Sequence, residues 1–411
     1  MNSNRYRVTL GQARQADAFT AGKKAAIQAR NALSGESPGW ALAFGGGRHD
    51  AAALLHGFRI VLGDIPIIGG CGVGLITVEA ATLTGYECGL LLFPAVLNPV
   101  AIALTDNLRQ GERVAGQRLG QALRESIFPN ATVLLFYDSI HSGPPPVLHV
   151  GSQLMDGVYE GLGEERPMLV GAGTLADMEL TDSYIFDGRE FRKHAAVAIV
   201  LPPMLTSHGA IMHGCYPASD FLEITRIDGA RVLELNNRPA LIVAAERLGI
   251  PREQLAMLHP PHFSLTLGEK YGNPFAPFSE DQYVNRLVVA ADLSDNALIL
   301  FEADFQVGSQ VQLMAIDSKR MIDSAYQQTR ALLERLDGQQ LLFGLYIDCA
   351  GRSTAFSGLE DDETAPVREQ VGVYCPLLGF YSGVEIAPLF GRSRPLDWTG
   401  VLVVFTLLSP D

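Results

Sequence analysis

The chain has 411 residues, 47% of them hydrophobic and 18% charged, with a formal net charge of -14. That balance belongs to a well-packed protein of two or three domains and excludes a disordered one. Lys and Arg are scattered, and the densest basic group, Arg189, Arg192 and Lys193, is small and interrupted. Nucleic-acid backbones and anionic membranes are therefore excluded as partners.

The first residues, Met1 to Arg7, lead into no hydrophobic core of the signal-peptide type. Residues 12–34 read as a helix, since Ala18, Ala21, Ala25, Ala29 and Ala32 recur at steps of three and four and Gly35 supplies a stop. A three-part pattern then begins. A strand-like run, Trp40 to Phe44, ends in Gly45-Gly46-Gly47-Arg48. A second enters through Pro66 and leaves through Gly69-Gly70, and an apolar run, 89–93, completes the unit. The stretch 89–104 is too short for a membrane span and holds Pro94, Asn98 and Pro99, so it reads as a buried strand and a following loop or short helix.

Residues 111–126 have helical composition and lead into the second copy of the pattern: Val133 to Tyr137 with Asp138-Ser139, Pro167 to Gly171, and Ala195 to Leu201. A helix is expected near 150–162, and a hairpin turn at Asp187-Gly188. Pro202-Pro203 suggests a boundary. The organisation expected is a helical segment over 1–34, one domain over 35–205 and a second over 206–411. The second opens with a strand near His208 to Met212, a hairpin around Asp228-Gly229 and a helix from Pro239 to Leu248. A β-rich meander over 262–315 and a helix from Ser318 to Leu336 follow. The third copy then runs through Leu341 to Ile347 with Asp348-Cys349-Ala350-Gly351-Arg352, Pro376 to Gly379, and Gly400 to Phe405. The predicted fold is α/β, with mixed sheets built from pseudo-repeated strand-helix-strand-strand units in two halves.

At this point the chain resembles the FIST domain proteins, a bacterial sensory family in two parts. The amino-terminal part is matched at Pro66 to Gly74, at Pro167 to Gly173, at the hairpin 183–193 and at Ala195 to Leu201. The carboxy-terminal part is matched at His213-Gly214-Cys215-Tyr216-Pro217, at 223–241, at Tyr346 to Arg352 and at Gly379-Phe380-Tyr381-Ser382-Gly383-Val384-Glu385-Ile386-Ala387-Pro388. Val384 departs from a glycine or other small residue, which would narrow a pocket there, and His213 from a glutamine. The resemblance implies a cytoplasmic ligand-binding sensor. With no residues left for an output domain, signalling would pass to a separate partner such as a histidine kinase. A subset of stand-alone relatives binds haem b and senses nitric oxide.

Residue chemistry leaves several readings open. Gly69-Gly70-Cys71-Gly72-Val73-Gly74 follows a strand but precedes β-branched residues, so no helix N-terminus waits for a nucleotide phosphate. Cys349, Gly351 and Arg352 follow a strand end, where α/β proteins place ligands. Arg352, with Arg48 as its repeat-related counterpart, would clamp a carboxylate, and Glu385 would accept an amino group, with Tyr381 beside it. The alternative is an Arg352–Glu385 ion pair tying two repeats together. Cys349 as the nucleophile of a hydrolase or transferase is a third, distant reading, with no His near it in sequence. The five cysteines, Cys71, Cys88, Cys215, Cys349 and Cys375, form no C-x-x-C pair and point to a reducing compartment. A haem would need one neutral imidazole in an apolar pocket, and His213 and His262 are nominated by their neighbours. A zinc site from His208, His213 and Cys215 fits no familiar spacing, and no metal is expected.

Overall fold

The computed structural model describes residues 3–256, 265–357 and 361–408. Each copy of the repeat becomes one mixed sheet with helices on its outer face. In the first, Pro38–Gly46 and Ile67–Gly72 run parallel, joined by the helix Ala51–Leu62, and Glu87–Pro94 pairs antiparallel with the former. The second repeats this with Thr132–Asp138, the helix Gly151–Leu162, Met168–Thr174 and Ala196–Val200. The third does so with Leu341–Cys349, the helix Ala365–Gly372, Leu377–Ser382 and Gly400–Leu407. Their strands are buried along almost their whole length, which is why they read as continuous apolar runs without alternation. Local chemistry sets the helix starts: Asp17, Asp50 and Asp317 each accept a backbone N–H three residues on.

Each unit also has an additional outer strand and helix. Thr9–Arg14 pairs with the 87–94 strand and precedes the helix Ala18–Ala32. The helix expected from residue 12 therefore begins at Ala18, because alternate residues of 9–14 face the core from a sheet edge. Ala101–Thr105 and Leu205–Met212 occupy the same place in the other two sheets. The paired outer helices meet through small residues. A Cβ at Gly157 would lie 2.0 Å from the Arg113 carbonyl oxygen, and one at Gly116 2.2 Å from that of Leu154.

The units are interlocked in a ring. The first sheet is extended by a hairpin of the second unit, Ile185–Gly188 with Phe191–Arg192. The second is extended by a hairpin of the third, Val384–Leu389 with Arg392–Leu396. The third is extended by a hairpin of the first, Leu75–Thr77 with Ala81–Thr82. The sheets thus cross the divisions at 34/35 and 205/206. They face one another over a shared core in which Phe44 stacks on Phe380 at 3.8 Å and meets Phe136 edge-on at 5.4 Å, one ring from each sheet. Such ring pairs add roughly 0.5–1.5 kcal/mol each beyond their burial.

Between the first strand of the third unit and its long helix, Ser318–Arg335, lies an insertion. Leu222–Asp228, Arg231–Leu235, Ala297–Leu300, Tyr283–Asp292, Leu265–Lys270 and Gln310–Ala315 pair in that order, and the last returns to the first. The meander expected over 262–315 is therefore part of a closed six-stranded barrel, sealed at one side by the helix Ala240–Leu248. No helix among the described residues is long and apolar enough to cross a membrane.

Candidate functional site

A cavity of about 570 Å³ opens where the second unit, the third unit and the barrel meet. That size suits a small-molecule ligand. Strand ends form its floor: Cys349 sits opposite Ser382 in the parallel pair, and the chain continues as Ala350-Gly351 on one side and Gly383-Val384 on the other. The barrel supplies Leu287, Val289 and the run Ile299 to Ala303. The second unit supplies Pro146 to Val150 together with Leu175, Met178 and Leu180. The wall is largely apolar, and its polar side chains are Glu302, Asp397, Ser382, Cys349 and His149.

Two carboxyl groups set the character of the site. Glu302 is 5% exposed. Its Oε1 accepts the Ser152 N–H at 2.6 Å, and its Oε2 has no hydrogen-bond partner. Asp397 is 1% exposed. Its Oδ2 accepts the Leu287 N–H at 3.0 Å, while Oδ1 has no hydrogen bond and lies 3.8 Å from Nη1 of Arg286. Arg286 is already committed. Its Nε donates to Asp304 at 2.7 Å, its Nη2 to the other oxygen of Asp304, and its Nη1 to the carbonyls of Asn285 and Pro395.

Burial pushes Glu302 up to about 8 and Asp397 up to about 6, with Arg286 opposing both shifts and Asp304 adding to them. Beneath them Glu385, wholly buried, is pushed well above the carboxylate range by burial. Tyr137, whose hydroxyl also lacks a partner, is raised by burial and by Glu302, Asp397 and Glu385.

Of the described residues nominated from sequence, Cys349 alone lines this cavity. Its thiol is pushed well up by burial first and by Glu385 next, so it is held as the unreactive thiol. Arg352 is fully buried. Its Nε meets Asp348 at 2.7 Å, and Nη1 donates to the carbonyls of Met212, His213 and Trp398 at 3.1, 3.3 and 3.4 Å. It fastens the third unit's strand end to the segment entering the barrel, and it does not line the cavity. Glu385 does not pair with it; its oxygens accept Ser382 Oγ at 2.7 Å and the Thr399 N–H at 3.3 Å. Tyr381 donates its hydroxyl to Glu363 at 2.8 Å. Arg48 is exposed over the ring of Tyr86 at 5.4 Å, so the repeat-related arginines have diverged in role.

The haem nominees fare differently. His213 Nδ1 accepts the Cys215 N–H at 2.9 Å, so Nε2 carries the proton and faces the Glu280 carbonyl at 3.3 Å. The ring is fully buried, its pKa is lowered by that burial, and it has no nitrogen free for iron. His262 lies outside the described residues. His149, on the cavity wall, has Nδ1 on Glu112 at 2.8 Å and Nε2 on His194 at 3.3 Å. His213 and His149, with both ring nitrogens engaged, do not fit a haem ligand. Among the described residues no three His, Cys, Asp or Glu side chains could hold a metal ion.

Glu302 and Asp397 were not singled out by sequence. Each is one acid beside an apolar run, the two lie 95 positions apart, and they meet only where Asp397 docks on the barrel strand at Leu287.

Family models match the chain as a FIST N domain over residues 39–238 and a FIST C domain over 240–388. Similar proteins include an uncharacterized protein of Mycobacterium bovis, 25% identical, covering 97% of this chain and 98% of the relative. An uncharacterized protein of Mycobacterium tuberculosis is 23% identical, covering 97% and 99%. A cyanuric acid hydrolase of known structure from A. caulinodans aligns over 98% of this chain and 100% of its own, with 10% identity and a TM-score of 0.37.

Proposed function

We propose a sensing role for this chain, which belongs to the FIST family of small-ligand-sensing signalling domains: its ligand occupies the cavity between the barrel and the second and third units. One observation carries this reading. A roomy apolar cavity is lined by Glu302 and Asp397, and each has one buried carboxyl oxygen with no hydrogen-bond partner. A buried polar atom left unpaired costs about 1–3 kcal/mol, and a ligand that pairs it recovers that cost on binding. The Cys349 thiol, raised by burial, argues for binding without covalent chemistry.

The cavity walls come from three separate parts of the fold, so a ligand that bridges them favours one arrangement of the barrel against the units. A separate signalling protein, such as a histidine kinase, would read that arrangement.

The chain supplies its own reporter. It has two tryptophans, Trp40 and Trp398. Trp398 is buried beside Gly351 of the cavity floor, where a Cβ would lie 3.2 Å from its ring; Trp40 stacks on Phe93 in the shared core. In a Trp40→Phe background, titration with a small-molecule library should change Trp398 emission saturably for cavity ligands. Val384→Phe, which fills the cavity from its floor, should abolish the change. A library that binds equally well to Val384→Phe would place the ligand elsewhere.

A further inference from the structure

We propose that the ligand is an apolar organic monocation, an amine bound as its ammonium ion, with its charged head between Glu302 and Asp397 and its hydrocarbon body against Leu287, Val289, Phe301 and Val384. This rests on the cavity being the sensing site, and it adds the chemical class.

Carboxyl groups around the cavity outnumber the cations within reach of them. No Lys or Arg lines it. Arg286 is bidentate on Asp304, Arg352 meets Asp348, and neither guanidinium lines the cavity. Glu302, Asp397 and Glu385 remain as three buried carboxyls within electrostatic reach of Tyr137, and the guanidinium near Asp397, Arg286 at 3.8 Å, is shared with Asp304. Two of them present an unpartnered oxygen, and both line the cavity. An ammonium group has only donors and suits two such acceptors; a carboxylate ligand would find neither a cation nor a strong donor. Free α-amino acids are thereby disfavoured, since their carboxylate would face the same acids. A metal ion is disfavoured by the lack of a third ligand among the described residues. The net charge of -14 draws cations toward the molecule.

Binding exchanges one cation for another. The groups facing Glu302 are Arg286, Asp304, Asp397 and Tyr137, with the Ser152 N–H on Oε1. Its carboxyl proton leaves to solvent as the ammonium N–H···O contacts form, and no electrons move. Affinity should therefore rise with pH as Glu302 ionises, until the amine itself loses its proton.

The test uses the full chain with 2-phenylethylamine and 1-hexylamine, each beside its isosteric alcohol and carboxylic acid. Calorimetry at pH 7 in two buffers of different ionisation enthalpy reads affinity and proton release together. The amines should bind about 10- to 100-fold tighter than the alcohols, the range that a charge-assisted pair supplies, and should release a proton. Glu302→Gln, which keeps the shape and an acceptor for Ser152, should erase most of that preference and the proton release. Alcohols or acids binding as tightly as the amines, or an amine preference unchanged in both Glu302→Gln and Asp397→Asn, would overturn the proposal. If in addition the alcohols bind and lose their affinity in Val384→Phe, the cavity reading stands and the amine class alone falls. Absence of binding by the amines overturns the class as well, and the alcohols again decide for the cavity.

Discussion

Replacing Glu302 by Gln should stabilise the protein at alkaline pH and leave it nearly unchanged at mildly acid pH. Glu302 ordinarily titrates at 4.5 and in the fold at about 8, mainly because burial penalises its ionised form. The folded state therefore holds this proton more tightly than the unfolded state does. Stability from this group is complete below pH 4.5 and is lost as pH rises toward 8. At about 1.36 kcal/mol per pH unit across that window, ionisation costs the fold up to about 5 kcal/mol. Gln keeps the acceptor for the Ser152 N–H, made at 2.6 Å in the native chain, and has no proton to lose. Urea denaturation of both proteins at pH 5 and pH 8.5 isolates the effect. The variant should lie within about 1 kcal/mol of the parent at pH 5 and be more stable by about 2 kcal/mol or more at pH 8.5. An equal shift at both pH values would refute the reasoning, because it would mean that Glu302 already has a partner or is open to water.

Arg352→Ala should destabilise the chain by about 3–5 kcal/mol, since it strands the buried Asp348 carboxylate, and the same urea titrations measure it. It should not discriminate between carboxylate and neutral ligands, as a clamp residue would. The five cysteines are buried with raised thiol pKa values, about 12 for Cys71, Cys88, Cys215 and Cys375. Ellman's reagent at pH 8 should titrate almost none of them in the native chain and all five after denaturation; one fast native thiol, traced to Cys349, would revive the nucleophile reading. Gly157→Leu should destabilise by several kcal/mol, because its Cβ falls 2.0 Å from the Arg113 carbonyl oxygen between paired helices, and thermal melting reads this directly.

The repeated units were legible because their physics is local and period-bound. Apolar runs such as Val133 to Tyr137, bracketed by helices and by Pro and Gly, signal parallel strands wherever they occur. The strand 9–14 was not, since its alternation merges into the alanine face of the helix that follows. The ring of exchanged hairpins and the barrel's closure depend on pairings far apart in sequence, such as Gly171 with Ile386 and Thr266 with Met314, for which no local signal exists. The candidate site followed the same rule. Cys349 ends a strand and lines the cavity, whereas Arg352 meets Asp348 and Glu385 meets Ser382 and Thr399, not each other. Asp348 lies four residues from Arg352 and could have been read as its counter-ion, but Glu302 and Asp397 become neighbours only in the folded chain.

The central claim is that a ligand sits in the cavity of Glu302, Asp397 and Val384, and a crystal structure of the full chain soaked with a binder from the library tests it most directly. The account predicts density between the strand ends at Cys349 and Ser382 and the barrel wall at Phe301, with a polar group within hydrogen-bonding distance of Glu302 Oε2 or Asp397 Oδ1. A binder bound elsewhere, with this cavity unchanged, would contradict it.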